Sequence, residues 1–327
     1  MATTFNTLTQ FTPAFAREES ELAPVHRLFK NALDAAGVTR AARMLRQTLT
    51  TMRNDCRTEA EWRCRVDTEI RPHPVYEIAL LDPFIRHANT KPRGYAGDAE
   101  LLDFIYQHPS ARPKLEAAHP AGKASTLYTT NASAPRAVRN RACLLAAEID
   151  AIAARNPQAE FLSLACGHLR EAAMSTAIQS KSFGRFLALD QDLESVALVQ
   201  RENAHYGVQA AEGSVRSVIT SRGELGQFDF AYAAGLYDYL NDKVAARLLR
   251  ALFDGLKPGG KVWVANFMPA IPDRAIMEAI MDWWLIYRDE RQMFDLGTAL
   301  PASEAASMRT FADHEENVVY LEVVRKG

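Results

Sequence analysis

The spacing of hydrophobic residues changes near residue 160. Before this point, apolar side chains recur every three or four positions, which predicts a mainly helical segment. After it, short apolar runs alternate with helical stretches, which predicts an α/β segment. The predicted helices of the first segment cover 21–52 with a break at Gly37, then 75–87, 98–107 and 136–154, with Ser133 as the cap of the last. We therefore expect two domains, a helical lid of residues 1–145 and an α/β domain of residues 146–327.

Six apolar runs of the second segment have the length of β-strands. They are FLSLA (161–165), FLALD (186–190), VQAAEG (208–213), FDFAYAA (228–234), KVWVANF (261–267) and NVVYLEVVRK (317–326). Because strands that alternate with helices form right-handed βαβ units, the first five should make a parallel sheet covered on both faces. The last run has no helix after it, and we expect it to lie antiparallel to its neighbour. The predicted fold class is Rossmann-like α/β behind an N-terminal helical domain.

The composition is that of a water-soluble globular protein. Of 327 residues, 48% are hydrophobic and 24% are charged, and the formal net charge of −2 provides no positive field for nucleic acid. The N-terminal residues lack the apolar core of a signal peptide, and no run reaches the roughly 18 apolar residues of a membrane span. The four cysteines lack metal-ligand spacing, so we expect reduced thiols and no metal. These features predict a cytoplasmic protein with a small-molecule substrate and leave its oligomeric state open.

The loop after the first predicted strand is a candidate ligand site. In doubly wound sheets, ligands bind beyond the carboxyl ends of the strands, and here that position is Ala165-Cys166-Gly167-His168. Gly167 has no side chain to obstruct a ligand. The loop lacks the second and third glycines that a pyrophosphate requires, which favours a nucleoside without phosphates. A purely structural turn is the alternative.

Two further strand ends carry residues suited to a nucleoside. Asp190 follows the second strand, 23 residues after Gly167, close to the spacing of a carboxylate that accepts hydrogen bonds from ribose hydroxyls. A solvated aspartate at a strand end is the alternative. Ser214, in AEGSV after the third strand, is placed to contact an adenine edge, and Gly235 after the fourth strand again permits close approach.

The ordered motifs LACGHLREA, LALDQD, EGSV, FDFAYAAGLYDYL and LKPGGKVWVANF resemble those of class I S-adenosylmethionine (SAM)-dependent methyltransferases. The resemblance covers about residues 136–327 and implies a seven-stranded sheet. It also implies that Glu171 orients the SAM amino group, although a favourable charge at a helix N-terminus is the alternative. The chain departs from the pattern at Ser163, where many relatives have an acidic residue, and at Ser214, which replaces a common aspartate. The SAM contacts implied by the motifs are Cys166, Gly167, Glu171, Asp190, Gln191, Gly213, Ser214 and Gly235.

The N-terminal segment resembles a narrower group. KPRGYAGDAELLDFIY (91–106), GLYDYL and WWLIYRDE (283–290) are similar to bacterial enzymes with a helical domain ahead of the SAM fold. One subgroup is azetidine-2-carboxylate synthase, which cyclises SAM and releases methylthioadenosine. The other is linked to methyl esters of 3-hydroxy fatty acids. The resemblance therefore implies either cyclisation of SAM, which we favour, or methyl transfer to a small or fatty carboxylate.

Neither reaction demands a strong catalytic base, so the candidate catalytic residues are positioning groups. An aromatic face near a sulfonium or ammonium is worth roughly 0.5–2 kcal/mol, which selects Tyr95, Tyr128 and Tyr237. Asn131 is a candidate hydrogen-bond partner for the amine or carboxylate. Packing is the alternative for each tyrosine, and a turn is the alternative for Asn131.

Two other functions are compatible with parts of the sequence. A catalytically silent SAM-binding regulator would have the same motifs. An NAD-dependent oxidoreductase fits less well, because the glycine pattern and the last strand differ from those of the NAD-binding fold.

Overall fold

A computed structural model describes residues 20–221 and 224–327. The N-terminal residues, for which the sequence predicts no signal peptide, lie outside the described residues. The chain divides into two compact units. The helical unit contains the described residues up to Arg136 together with Pro272–Trp284, and the sheet unit contains Ala137–Ile271 and Leu285–Gly327. The roles of these units as lid and SAM-binding domain stay predictions.

The helical unit consists of short helices around one long one. Its helices are α1 (Ala23–Lys30), α2 (Ala35–Asn54), α3 (Glu59–Arg65), α4 (Pro74–Ala79), α5 (Pro83–Thr90), α6 (Ala99–Ile105), α7 (Arg112–Ala117), α8 (Pro120–Thr129) and α14 (Arg274–Ala279). A π-helical turn, Val66–Ile70, follows α3, and a 3-10 turn, Pro109–Ala111, precedes α7. The next helix, α9 (Ser133–Arg155), begins in this unit and lies mostly in the sheet unit.

The predicted helix break at Gly37 is wrong. Helix α2 begins at Ala35, and Gly37 lies in its first turn. The carboxylate of Asp34 accepts a hydrogen bond from the Gly37 amide at 2.7 Å and so caps the helix. A Cβ on Gly37 would lie 3.2 Å from Ala32, so the glycine serves close packing of the preceding turn. The interruption between α1 and α2 therefore lies at residues 31–34, because the Asp34 cap starts the new helix at Ala35.

Two other predicted helices have different bounds. The stretch predicted as one helix, 75–87, is two, because Asp82 accepts hydrogen bonds from the Phe84 and Ile85 amides and Pro83 opens α5. Ser133 was expected to be the cap residue just before the last helix, and it is the first residue of α9. The amide of Ala134 donates to the Asp273 carboxylate at 2.6 Å, which satisfies one N-terminal donor of that helix.

The sheet unit contains seven strands with helices between them. The strands are β1 (Glu160–Leu164), β2 (Arg185–Asp190), β3 (Val208–Glu212), β4 (Phe228–Ala233), β5 (Leu256–Phe267), β6 (Ala305–Ala312) and β7 (Val318–Arg325). The helices are α10 (Thr176–Gln179), α11 (Leu193–Asn203), α12 (Val215–Thr220), α13 (Asp242–Asp254) and α15 (Glu290–Gly297). The strand order is β3-β2-β1-β4-β5-β7-β6, with β1–β5 parallel and β7 antiparallel to both neighbours. The predicted Rossmann-like α/β class, with a seven-stranded sheet whose last strand is antiparallel, is confirmed.

Two strands differ from the prediction. The edge strand β6 was not located in the sequence, because its residues are mostly half-buried or exposed and lack an apolar run. Strand β5 begins at Leu256, five residues before the predicted strand 261–267. The pairing of β4 with β5 shifts between Phe228 and Phe230, so residues 257–260 form an irregularity that holds Gly259 at φ 79°. Glycine permits this local detour of the strand.

Alternate residues of the central strands pack on opposite faces of the sheet, as strand geometry requires. Leu162, Ala231 and Val262 join a cluster that includes the apolar face of α13. The neighbouring Phe161, Phe230 and Trp263 belong to a second cluster that includes residues from α9 and α11. Strand order reverses at β1, between β2 and β4, so the carboxyl end of β1 is the point where a ligand crevice is expected.

Candidate functional site

The loop after β1 adopts a conformation that glycine favours, although it has only one glycine. Ala165, Gly167 and Leu169 all have left-handed backbone angles, with φ of 52°, 53° and 49°. Such a conformation costs an L-residue roughly 1–2 kcal/mol. Backbone outliers of this kind concentrate at functional sites. The sequence reveals this conformation only at Gly167, because alanine and leucine do not indicate it.

Asp190 ties this loop to the end of β2. Its Oδ2 accepts a hydrogen bond from the Gly167 amide at 2.8 Å, and its Oδ1 accepts one from the Asp192 amide at 2.9 Å. Asp190 is 4% exposed, and burial raises the pKa of its carboxyl while the two backbone hydrogen bonds oppose that change. The structure thus brings Gly167 and Asp190 together as expected. The ribose-binding role of Asp190 stays a prediction.

Glu171 lies at the far end of the same loop, on a buried polar chain. The Tyr232 hydroxyl, from β4, donates to Glu171 Oε1 at 2.7 Å. Ser163 occupies the position where many relatives have an acidic residue. It lies beside Tyr232 in the pairing of β1 with β4, and the two side chains are hydrogen-bonded. Burial raises the pKa of Glu171, against the opposing effects of the Tyr232 hydrogen bond and the Arg141 charge. The carboxylate is therefore held in place and poorly solvated.

Arg141 is a site residue that the sequence analysis missed. It lies on α9, is 5% exposed, and forms no hydrogen bond or ion pair with any residue of 20–221 or 224–327. A Cβ built on Gly235 would lie 3.3 Å from Arg141 Nη2, so the guanidinium lies directly against the carboxyl end of β4. No spacing marks this arginine among those of α9, and only the docking of the helix places it here.

The turn after β4 is fixed by a second buried arginine. Arg288 donates to the carbonyl oxygens of Tyr237 and Leu240, at 2.9 and 2.6 Å, and to Asp242 Oδ1 at 2.7 Å. Asp238 accepts the Phe267 amide at 2.7 Å, and burial raises the pKa of its carboxyl to about 6. These contacts hold the turn after β4, residues 237–242, in place.

Tyr237, a candidate catalytic residue, lies in this turn. Its side chain is 0% exposed and belongs to the core cluster that contains α13 residues. Its hydroxyl has no hydrogen-bond partner in the described part of the chain. Complete burial favours the packing interpretation, and a catalytic role stays a prediction.

The ends of β2 and β3 hold the remaining predicted SAM contacts. Gln191 is exposed, whereas Gly213 is buried and a Cβ there would lie 3.0 Å from Leu189 Cβ. Ser214 caps α12, accepting the Ser217 amide at 3.1 Å in a capping box. Its visible role is therefore structural, and the adenine contact stays a prediction.

Cys166 lies within the loop between Ala165 and Gly167. Burial raises the pKa of its thiol well above the usual value, and the nearby Asp190 and Glu171 charges act in the same direction. The thiol is therefore neutral and weakly reactive. Its backbone amide donates to the Leu189 carbonyl at 3.1 Å, which adds a second tie between the β1 and β2 ends.

The other three candidate catalytic residues belong to the helical unit. Tyr95 is half-buried in the turn before α6. Tyr128, on α8, is half-buried, and its hydroxyl accepts a hydrogen bond from Arg46 Nε at 3.1 Å. Asn131 is exposed, and its side chain donates to the Leu127 carbonyl at 2.8 Å. This local bond favours a turn role for Asn131, and all three catalytic assignments stay predictions.

Metal-binding clusters and membrane-spanning helices are both absent from the described residues. Residues 20–221 and 224–327 contain no group of three or more His, Cys, Asp or Glu side chains able to hold a metal ion. Within those same ranges, no helix has both the length and the apolar character needed to cross a bilayer.

Solved structures that resemble the chain include a possible exported protein from Bordetella parapertussis. It is 16% identical, with 90% of this chain and 96% of that one covered and a TM-score of 0.59, a likeness of fold alone. A putative O-methyltransferase from Nostoc punctiforme is 14% identical over 77% of this chain and 72% of that one, with a TM-score of 0.45. Magnesium protoporphyrin IX methyltransferase from Synechocystis, with bound S-adenosylhomocysteine (SAH), is 11% identical. The match covers 59% of this chain and 87% of that one, with a TM-score of 0.43. The last two scores are too low to bear on function. No protein-family model and no curated protein matches the chain.

Proposed function

We propose that the sheet unit binds SAM across the carboxyl ends of β1, β2 and β4 and that the protein uses SAM as its substrate. The left-handed loop 165–169, braced by Asp190, is the observation that carries the proposal. Such a loop turns backbone amides and a side-chain-free Cα toward a ligand at the switch point of the sheet. Its single glycine suits a nucleoside without phosphates.

The charged groups along the loop fit the parts of SAM. Asp190 would accept hydrogen bonds from the ribose hydroxyls, because each carboxylate oxygen has a second lone pair beyond the one used by a backbone amide. Glu171, at the other end of the loop, would face the ammonium group of the methionine moiety. Both carboxylates are buried, so their attraction for a cation is weakly screened by water.

The reaction we propose is cyclisation of SAM to azetidine-2-carboxylate. The α-amino nitrogen attacks the γ-carbon, a C–N bond forms, and the C–S bond breaks with its electron pair remaining on the sulfur of methylthioadenosine. The nitrogen must lose a proton before it attacks. A free α-amino group has a pKa of roughly 7.7–8.0, so a modest base suffices.

Glu171 supports cyclisation over methyl transfer. Burial raises the pKa of its carboxyl, which makes it a better proton acceptor than a solvated glutamate. Tyr232 holds one carboxylate oxygen, which limits the orientations of the base. In methyl transfer to a carboxylate, the SAM ammonium keeps its proton and such a base has no task.

The test is incubation of the purified protein with SAM alone at about pH 8, followed by mass spectrometry. Enzyme-dependent methylthioadenosine with an equal amount of azetidine-2-carboxylate is the expected result. Methylthioadenosine with homoserine or its lactone would contradict cyclisation. Intact SAM, with binding shown by calorimetry, would also contradict it and would direct the search to S-adenosylhomocysteine release with 3-hydroxy fatty acids as acceptors.

Glu171→Gln separates catalysis from binding. The amide keeps the size of the side chain and can still accept the Tyr232 hydroxyl, but it cannot take a proton. We expect turnover to fall by roughly 100-fold, the usual contribution of a general base. SAM affinity should also fall, because the amide no longer attracts the ammonium group, so turnover is measured at saturating SAM. Unchanged turnover under that condition would limit Glu171 to binding.

A further inference from the structure

Arg141 is a buried cation that has no counterion at hydrogen-bonding distance among the described residues. Its side chain is 5% exposed, and no carboxylate in residues 20–221 or 224–327 forms an ion pair with it within 4 Å. Taking a guanidinium out of water is costly unless a partner compensates the charge. The Arg141 guanidinium therefore has hydrogen-bond donors that no residue in the described part of the chain uses.

The position of Arg141 points toward the proposed ligand site. The guanidinium lies against Gly235, at the carboxyl end of β4, where any side chain would approach it closely. The same strand end holds the Tyr232 hydroxyl that binds Glu171. A cation and an anion thus flank one strand end.

The two charges are close enough to influence each other without forming a pair. Burial raises the pKa of both Glu171 and Asp238, and the charge of Arg141 partly opposes that rise. Yet neither carboxylate accepts a hydrogen bond from Arg141. A ligand that carries an ammonium and a carboxylate a few bonds apart would complement both charges, and the methionine moiety of SAM has this arrangement.

We propose that Arg141 binds the α-carboxylate of SAM while Glu171 faces its ammonium group. This inference rests on the proposed function and assigns the recognition of the amino-acid end of the substrate. The planar guanidinium can donate two parallel hydrogen bonds to a carboxylate, which orients it as well as attracting it. Arg141 would then discriminate SAM from nucleosides that lack the carboxylate.

Calorimetric titration with two ligands tests the assignment. The ligands are SAM and decarboxylated SAM, which keeps the sulfonium and the amine and lacks the carboxylate. Arg141→Met should weaken SAM binding by about 10- to 100-fold, the range for a charge-assisted hydrogen bond. It should change the affinity for decarboxylated SAM by less than about threefold. Circular dichroism and thermal melting establish that the variant is folded.

Two more variants complete the design. Arg155→Met removes an exposed arginine from the end of the same helix and should leave both affinities unchanged. Arg141→Lys keeps the charge without the planar fork, so it should weaken SAM binding by less than Arg141→Met and again spare decarboxylated SAM. It provides the test if the methionine variant fails to fold.

The outcomes separate this inference from the proposed function. If the wild-type protein binds neither ligand, both are wrong. If it binds both and the Arg141 variants lose affinity equally for both, or lose none for SAM, only the role of Arg141 is wrong. Selective loss of SAM affinity supports both.

Discussion

Replacing Ala165 by glycine should stabilise the protein, although glycine usually weakens a fold. The residue has φ 52°, and the left-handed conformation costs an L-residue roughly 1–2 kcal/mol. Glycine removes this strain, but it raises the entropy of the unfolded chain by an amount worth about 0.4–1 kcal/mol. The Ala165 methyl is only half-buried, so little packing is lost. The net gain in unfolding free energy should be about 0.5–1 kcal/mol.

Two neighbouring positions should respond in the opposite direction. Gly167→Ala introduces a side chain at φ 53° and should cost roughly 1–2 kcal/mol. Leu169 has a similar backbone angle, but its side chain is 2% exposed in the core cluster that includes α9 residues. Leu169→Gly should therefore destabilise the protein by about 2–5 kcal/mol, because lost packing exceeds the relief of strain.

Thermal unfolding measures these differences. A gain of 1 kcal/mol in a domain of this size raises Tm by about 2–4 °C, so Ala165→Gly should melt about 1–4 °C higher. The control is Ala211→Gly, an exposed position in β3 with ordinary strand geometry, where glycine should cost roughly 0.5–1 kcal/mol. If Ala165→Gly lowers Tm as the control does, the strain at the β1 loop is not real and our interpretation of that loop is wrong.

Three further predictions follow from particular contacts. Asp190→Ala removes the acceptor of the Gly167 amide and of the predicted ribose hydroxyls, so SAM affinity should fall strongly; unchanged affinity by calorimetry would exclude Asp190 from the site. Tyr128→Phe removes the acceptor of Arg46 and should slow turnover more than it weakens SAM binding, whereas equal single-turnover rates would indicate a packing role. Burial lowers the pKa of His73 from its ordinary 6.5 to about 4, so the unfolded chain takes up the proton first as pH falls. Stability should then drop by roughly 2 kcal/mol between about pH 8 and pH 5 through this group. His73→Asn should remove that part of the pH dependence in denaturant titrations, and an unchanged pH profile would contradict the assignment.

The main elements of the sheet could be predicted because burial on both faces leaves continuous apolar runs. Strand β6 could not, since an edge strand exposed on one side has no such run. The false break at Gly37 has a similar origin. A glycine pattern does not reveal whether the residue ends a helix or packs closely in its first turn, and here the Asp34 cap decided it.

The sequence by itself determined the order along the chain of six of the seven strands. It also predicted that Gly167, Asp190 and Gly235 lie at one edge of the sheet. Parallel strands make this possible, because all their carboxyl ends lie on the same side. Only the tertiary structure decided that Ala165 and Leu169 share the backbone conformation of Gly167, and that Arg141 lies against Gly235. The physical reason is that both depend on groups distant in the chain. Asp190 and Leu189 hold the loop, and packing of α9 against the sheet carries Arg141 to the strand end.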